Sequence, residues 1–154
     1  MLDFSRSFHV GMVVSDIHHT QKVLGESMNL DWSPIRVFDP LPFWTPEDGD
    51  HEVVVHACYS RQGPQHIELC QGTGRFYDPA LQPDSRHMGV WVDDLVEEAE
   101  RLLALKWKVL AAGASPKEGY GVICYMQPEF GGLVIELVST ALEPVIAEWV
   151  AATE

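Results

Sequence analysis

The chain has 154 residues, 46% hydrophobic and 21% charged, and 23 acidic against 10 basic side chains give a formal net charge of -13. That composition argues against a disordered chain, and the acid excess repels phosphate backbones and anionic lipid, so nucleic acid and membrane surfaces are not expected as partners. The length fits one domain, 1–154, with a sizeable core. Cys58, Cys70 and Cys124 are an odd number without a Cys-x-x-Cys spacing and lie in apolar stretches. Buried free thiols and a reducing, cytoplasmic compartment are expected. MLDFSRSFHV has no basic region leading into an apolar run, and no stretch approaches the roughly 20 apolar residues of a membrane span.

In chain order, FHVGMVV (8–14) predicts a strand that runs into Asp16, a helix N-cap ahead of IHHTQKVLGESM. WSPIRVFD, HEVVVHACYS and QHIELCQG predict three more strands, with DPLPFWTPEDGD (39–50) as a loop after the first of them. RHMGVWV (86–92) then repeats the opening plan. Asp94 caps LVEEAERLLALK, with Glu97 three residues later where a capping box places its acid. WKVLAA, GVICYMQ and LVIELVS predict three further strands. The tail LEPVIAEWVAA (142–152) predicts a short helix with Val145, Ile146, Trp149 and Val150 on its apolar face.

Each half thus reads strand, helix, strand, strand, strand: module one over 8–72 and module two over 86–139. His9 and His87 both stand two residues before a glycine, Gly11 and Gly89, and seven before a capping aspartate. The histidines are 78 residues apart, whereas Glu68 and Glu136 are 68 apart. The second half is therefore a shortened copy of the first, its gap matching the 39–50 loop.

Glu68 and Glu136 each interrupt an apolar run, in QHIELCQG and GLVIELVS. Burying a carboxylate is costly unless it is paired or bound to a metal, so the repeated acid asks for a shared partner. Alternation along a strand puts His9 with Gly11, His87 with Gly89 and Trp91, and Glu68 with His66 and Cys70. If the two halves pair about a pseudo-twofold axis, two imidazoles and two carboxylates converge on one concave face. Such a set suits one divalent cation, with Mg, Mn, Fe, Co, Ni and Zn all compatible.

FHVGMVVSDI, HIELCQG, RHMGVWVDDL and VIELVS together resemble the vicinal oxygen chelate superfamily of glyoxalases, epimerases, extradiol dioxygenases and bleomycin-resistance proteins. The resemblance implies an α+β fold in which two βαβββ modules form a cup-shaped open barrel of mixed sheet around a metal. It makes His9, Glu68, His87 and Glu136 the expected ligands. Extradiol dioxygenases leave the Glu68 position without a ligand, and antibiotic-binding members usually lack the set. Four ligands are instead similar to glyoxalase I and the methylmalonyl-CoA epimerases. That implies a metal-dependent lyase, isomerase or epimerase that enolises a carbonyl compound, with Glu136 as base. A metal-free protein sequestering an aromatic natural product is the alternative, and an iron-dependent dioxygenase the third reading. Epimerases of the family carry a further acid in a Pro-Glu-x-Gly context; TPEDGDHEVVV offers Glu47, with Glu52 competing. Family resemblance also implies a homodimer.

Phe43 and Trp44 in the apolar loop hint at a bulky apolar or acyl substrate, and no basic cluster awaits a coenzyme A phosphate. Trp44 in a Pro-rich loop suggests a lid contact. Trp91 and Tyr125 either line the cup or fill the core. His66 is a substitute ligand, a substrate contact or a structural imidazole. His18, His19, His51 and His56 read as solvated or packing residues, Cys70 as packing, and the Gly pairs at 72–74 and 131–132 as turns.

Overall fold

The computed structural model describes residues 1–82 and 86–154. The first half comprises β1 (Ser7–Val13), α1 (Ile17–Met28), β2 (Arg36–Thr45), β3 (Gly49–Tyr59) and β4 (His66–Gly72). The second half repeats the order with β5 (His87–Val92), α2 (Leu95–Ala104), β6 (Lys108–Ala112), β7 (Ile123–Gln127) and β8 (Ile135–Ser139), and α3 (Glu143–Ala151) follows. Both expected caps form. Asp16 Oδ1 accepts from the His19 amide and Asp94 Oδ1 from the Glu97 amide, each at 2.9 Å, satisfying helix N–H groups that have no partner within the helix.

The eight strands form a mixed barrel in the order β1-β4-β3-β2-β6-β7-β8-β5. Within each half the first strand runs parallel to the last, and the halves meet where β1 pairs antiparallel with β5. This is the α+β cup expected from two βαβββ units, with one addition. The far edges also touch, through the single pair Trp44↔Ala112 between β2 and β6.

Three apolar clusters follow from strand alternation. Ile17, Cys58 and Leu69 pack between α1 and the outer face of the first sheet half, while Val90, Ala99, Leu102 and Leu137 pack between α2 and the second. Inside the barrel lie Phe43, Val55, Tyr59, Tyr125 and Val138, covered at one end by Ile146 and Trp149 of α3. Trp149 is fixed by its indole N–H, which donates to the Pro34 carbonyl at 2.8 Å, and by an edge contact with Tyr59. Of the expected apolar face of α3, Ile146 and Trp149 are buried, whereas Val145 is about half exposed.

One expectation is corrected. The segment 39–50 is not a loop: most of it is strand, and it extends β2 and β3 into a long hairpin whose turn follows Thr45. Two prolines obscured this. Pro40 falls in the register shift between Phe38 and Leu41, and Pro42 lies opposite Glu52 on a strand whose other side pairs at only one residue. A proline cannot donate a ladder hydrogen bond, but near an edge little is lost.

Candidate metal centre

The register of four central strands builds the site. Across β4, β1 and β5 one row reads Glu68, Gly11, His87; across β1, β5 and β8 the next reads His9, Gly89, Glu136. All lie on the inner face. Each histidine therefore faces the glycine of the other half, which explains the repeated His-x-Gly spacing. A Cβ on Gly11 would lie 2.1 Å from His87 Nε2, and one on Gly89 would lie 2.0 Å from His9 Cε1. Only a residue without a side chain leaves room for either ring.

The four functional groups alternate around a ring. His9 Nε2 lies 3.0 Å from Glu136 Oε2 and 3.3 Å from Glu68 Oε2; His87 Nε2 lies 3.1 Å from Glu68 Oε2 and 3.3 Å from Glu136 Oε2. All four residues are buried, and their donor atoms fall within 4.8 Å of one another. Edges of this length match neighbouring donors around a single ion with bonds of about 2.0–2.2 Å. The orientation adds to the distance. Despite their 3.0 Å separation, His9 Nε2 and Glu136 Oε2 make no hydrogen bond, and both are buried without a partner. His87 Nε2 and Glu68 Oε2 do hydrogen-bond across the ring, but these two orphaned atoms are close without being aligned toward one another, as expected for donors directed at a common point, so the residues fit a divalent ion.

Burial disfavours charge on both His87 and Glu136, but their mutual contacts win. The hydrogen bond with Glu68 and the close charge of Glu136 raise His87 to about 10, while the nearby His87 and His9 hold Glu136 down to about 2. In the metal-free protein this pairing contributes fully between the ordinary values of 4.5 and 6.5. The contribution is lost as pH falls toward 2 through Glu136, or rises toward 10 through His87. An ion must displace the His87 proton, so its apparent affinity is expected to rise about tenfold per pH unit from pH ~6 to ~9. Titration calorimetry in buffers of different ionisation enthalpy would read the proton release. An affinity independent of pH would show that His87 is already neutral.

The ring opens onto an apolar cavity of about 240 Å³, lined by both glutamates together with Tyr59, Cys70, Tyr77 and Tyr125. Burial first, then Glu68 and Glu136, push the Tyr59 phenol well above its usual range, and Cys70 rises for the same reasons. Both are neutral. The Tyr77 and Tyr125 hydroxyls lie 3.2 Å apart. All three cysteines are buried and free, as expected.

Of the expected substrate contacts, only Tyr125 lines this cavity. Trp91 stacks on Phe8 with centroids 3.8 Å apart and borders a shallower groove beside α3. His66 borders that same groove, its Nδ1 2.8 Å from the Ser60 carbonyl, and lies outside the metal cluster. Trp44 is corrected from lid to packing residue: it lies against the α2 cluster, because its neighbour Phe43 occupies the inner face. Glu47 is exposed in the β2–β3 turn and Glu52 is exposed on β3; neither lines the cavity. Sequence reasoning missed Tyr77, which lies in the connection between the halves. Two adjacent aromatics, Phe76 and Tyr77, in an otherwise polar linker were the available signal.

The chain belongs to the glyoxalase/bleomycin resistance protein/dioxygenase superfamily, whose sequence profile matches residues 8–125. That match includes three of the four ring residues and ends before Glu136. Among solved structures, the methylmalonyl-CoA epimerase from Mycobacterium tuberculosis is similar, with TM-score 0.56, 16% identity and coverage of 95% of this chain and 97% of that one. A variant of the Streptomyces coelicolor methylmalonyl-CoA epimerase in complex with 2-nitronate-propionyl-CoA gives 0.57 and 17%, covering 90% and 95%. A hypothetical protein from Bacillus halodurans C-125 gives 0.53 and 17%, covering 90% and 93%. At these identities the likeness carries the fold. No curated protein matches the chain.

Proposed function

We propose that the protein is a divalent-metal-dependent lyase, isomerase or epimerase that moves a proton next to a carbonyl. The observation that carries this reading is the buried ring of two imidazoles and two carboxylates beside an apolar cavity. Burying two acids without a cation would be costly. An ion held by His9, Glu68, His87 and Glu136 would supply Lewis-acid stabilisation of charge on the carbonyl oxygen. The chain's own groups do the rest. Glu136 lines the cavity, is ionised through the neutral range, and is assigned as the base that takes the proton. Glu68 faces the same space from the other half and is assigned the second proton-transfer role in place of Glu47. The aromatic walls exclude water and receive an apolar or acyl body. The epimerase neighbours support this reading through a shared fold. A cytoplasmic homodimer belongs to the same proposal, on the family resemblance and the free thiols.

Elemental analysis of protein purified without a chelator, followed by incubation with carbonyl compounds in deuterated water, tests the proposal. About one ion per chain and deuterium appearing beside the carbonyl are expected, and both should be lost in Glu136→Ala. The aromatic lining by Tyr59, Tyr77, Tyr125 and Trp149 favours the second reading, a binding protein for an aromatic compound. Ligand binding indifferent to chelator, in protein that takes up no ion, would select it. Iron-dependent oxygen uptake would instead select the dioxygenase.

A further inference from the structure

Among the described residues, Arg36 is the only basic side chain lining the cavity. It is half-buried on β2, with its guanidinium carbon 4.8 Å from the centroid of the Trp149 ring. Among the described residues no carboxylate forms an ion pair with it, although the chain carries 23 acids against 10 basic residues. An arginine next to an apolar cavity in so acidic a protein has many potential partners and has taken none. Its platform is fixed, because Trp149 is held by Pro34 and Tyr59. Contact with the indole uses no hydrogen-bond acceptor, so the guanidinium keeps N–H donors for a planar, two-oxygen acceptor.

Register sets the separation from the metal ring. Arg36 pairs with Ala57, which pairs with Cys70, so Arg36 lies two strand spacings, or about 10 Å backbone to backbone, from the strand that carries Glu68. Charge points the same way. Two carboxylates balance a divalent ion, and Arg36 then leaves the cavity with one positive charge that a monoanion would neutralise.

We propose that Arg36 anchors the far end of the substrate, which is a carbonyl compound joined through an apolar body to a carboxylate. This rests on the enolising function proposed above and names its substrate class. The walls between the two ends, including Leu41, Val55, Ala57 and Val138, match the apolar body.

Titration calorimetry of hexanoate against hexanamide tests the anchor, using wild type, Arg36→Lys and Arg36→Gln, each loaded with a divalent ion and again after chelation. Hexanoate should bind wild type at least tenfold more tightly than the amide. Arg36→Gln should erase the preference, Arg36→Lys should keep part of it, and chelation should leave the dependence on residue 36 in place. Equal binding of the two probes to wild type, no binding of either at millimolar concentration, or a preference retained in Arg36→Gln overturns the proposal. So does a preference that vanishes on chelation while surviving Arg36→Gln, since the carboxylate would then sit on the ion. The chelated arm reads Arg36 even if no reaction is found, so failure of the anchor and failure of the enolising function are separable.

Discussion

Gly89→Ala is expected to reduce bound divalent ion to less than a tenth of the wild-type content, and Gly11→Ala should do the same from the other half. Both substitutions place a methyl group where an imidazole lies, 2.0 Å from His9 Cε1 or 2.1 Å from His87 Nε2. The backbone is not the obstacle: both glycines lie in regular strands outside the left-handed region, so alanine is conformationally acceptable at each. The displaced ring must leave its rotamer or the paired strands must separate, at a cost of about 1–3 kcal/mol. Elemental analysis beside thermal unfolding reads both consequences. Gly113→Ala is the control, because its added carbon meets nothing nearer than 3.5 Å and should change neither. Full ion content in Gly89→Ala would mean that His9 is not a ligand.

Chelation is expected to lower the thermal midpoint of the wild type by roughly 8–16 °C at neutral pH. An ion present at a thousand times its dissociation constant stabilises the folded state by about 4 kcal/mol. For a chain of this length, each kcal/mol moves the midpoint by about 2–4 °C. The effect should vanish in Glu136→Gln, which keeps the shape of the side chain but removes one of the two charges that balance the ion. A calorimetric scan of four samples, with and without chelator, decides the point. A midpoint that responds equally in wild type and Glu136→Gln would place the ion somewhere other than the ring.

Much of the centre was readable from spacing because duplication wrote it twice. A lone His9 or Glu68 carries little information, but His-x-Gly before a capping aspartate in both halves, and one acid in each final strand, fix four inner-face positions. Alternation then assigned faces correctly for the ring residues. It was less informative for the walls. In the sequence Trp44 reads as a lid because prolines at 40 and 42 signal a loop, and only the nearly unpaired side of β2 shows why a strand tolerates them there. Tyr77 and Arg36 were missed for different reasons. Tyr77 reaches the cavity from an irregular segment with no periodicity to read. Arg36 gains its meaning from Trp149, a residue 113 positions away whose placement depends on how α3 covers the barrel.

The two contacts between the halves differ greatly in extent. At one, β1 and β5 pair over several residues and carry the ring; at the other, the ladder between β2 and β6 is the single pair Trp44 and Ala112. A barrel fastened this way behaves as a clasp, strong along its spine and held at its lips by one stitch. An opening that breaks the fewest hydrogen bonds would part the lips and leave the spine closed. Such an opening would admit or release a bulky molecule without disturbing the four ring residues. The same motion would make the amides that join Trp44 to Ala112 exchange faster than those of 9–11, which lie between two ladders.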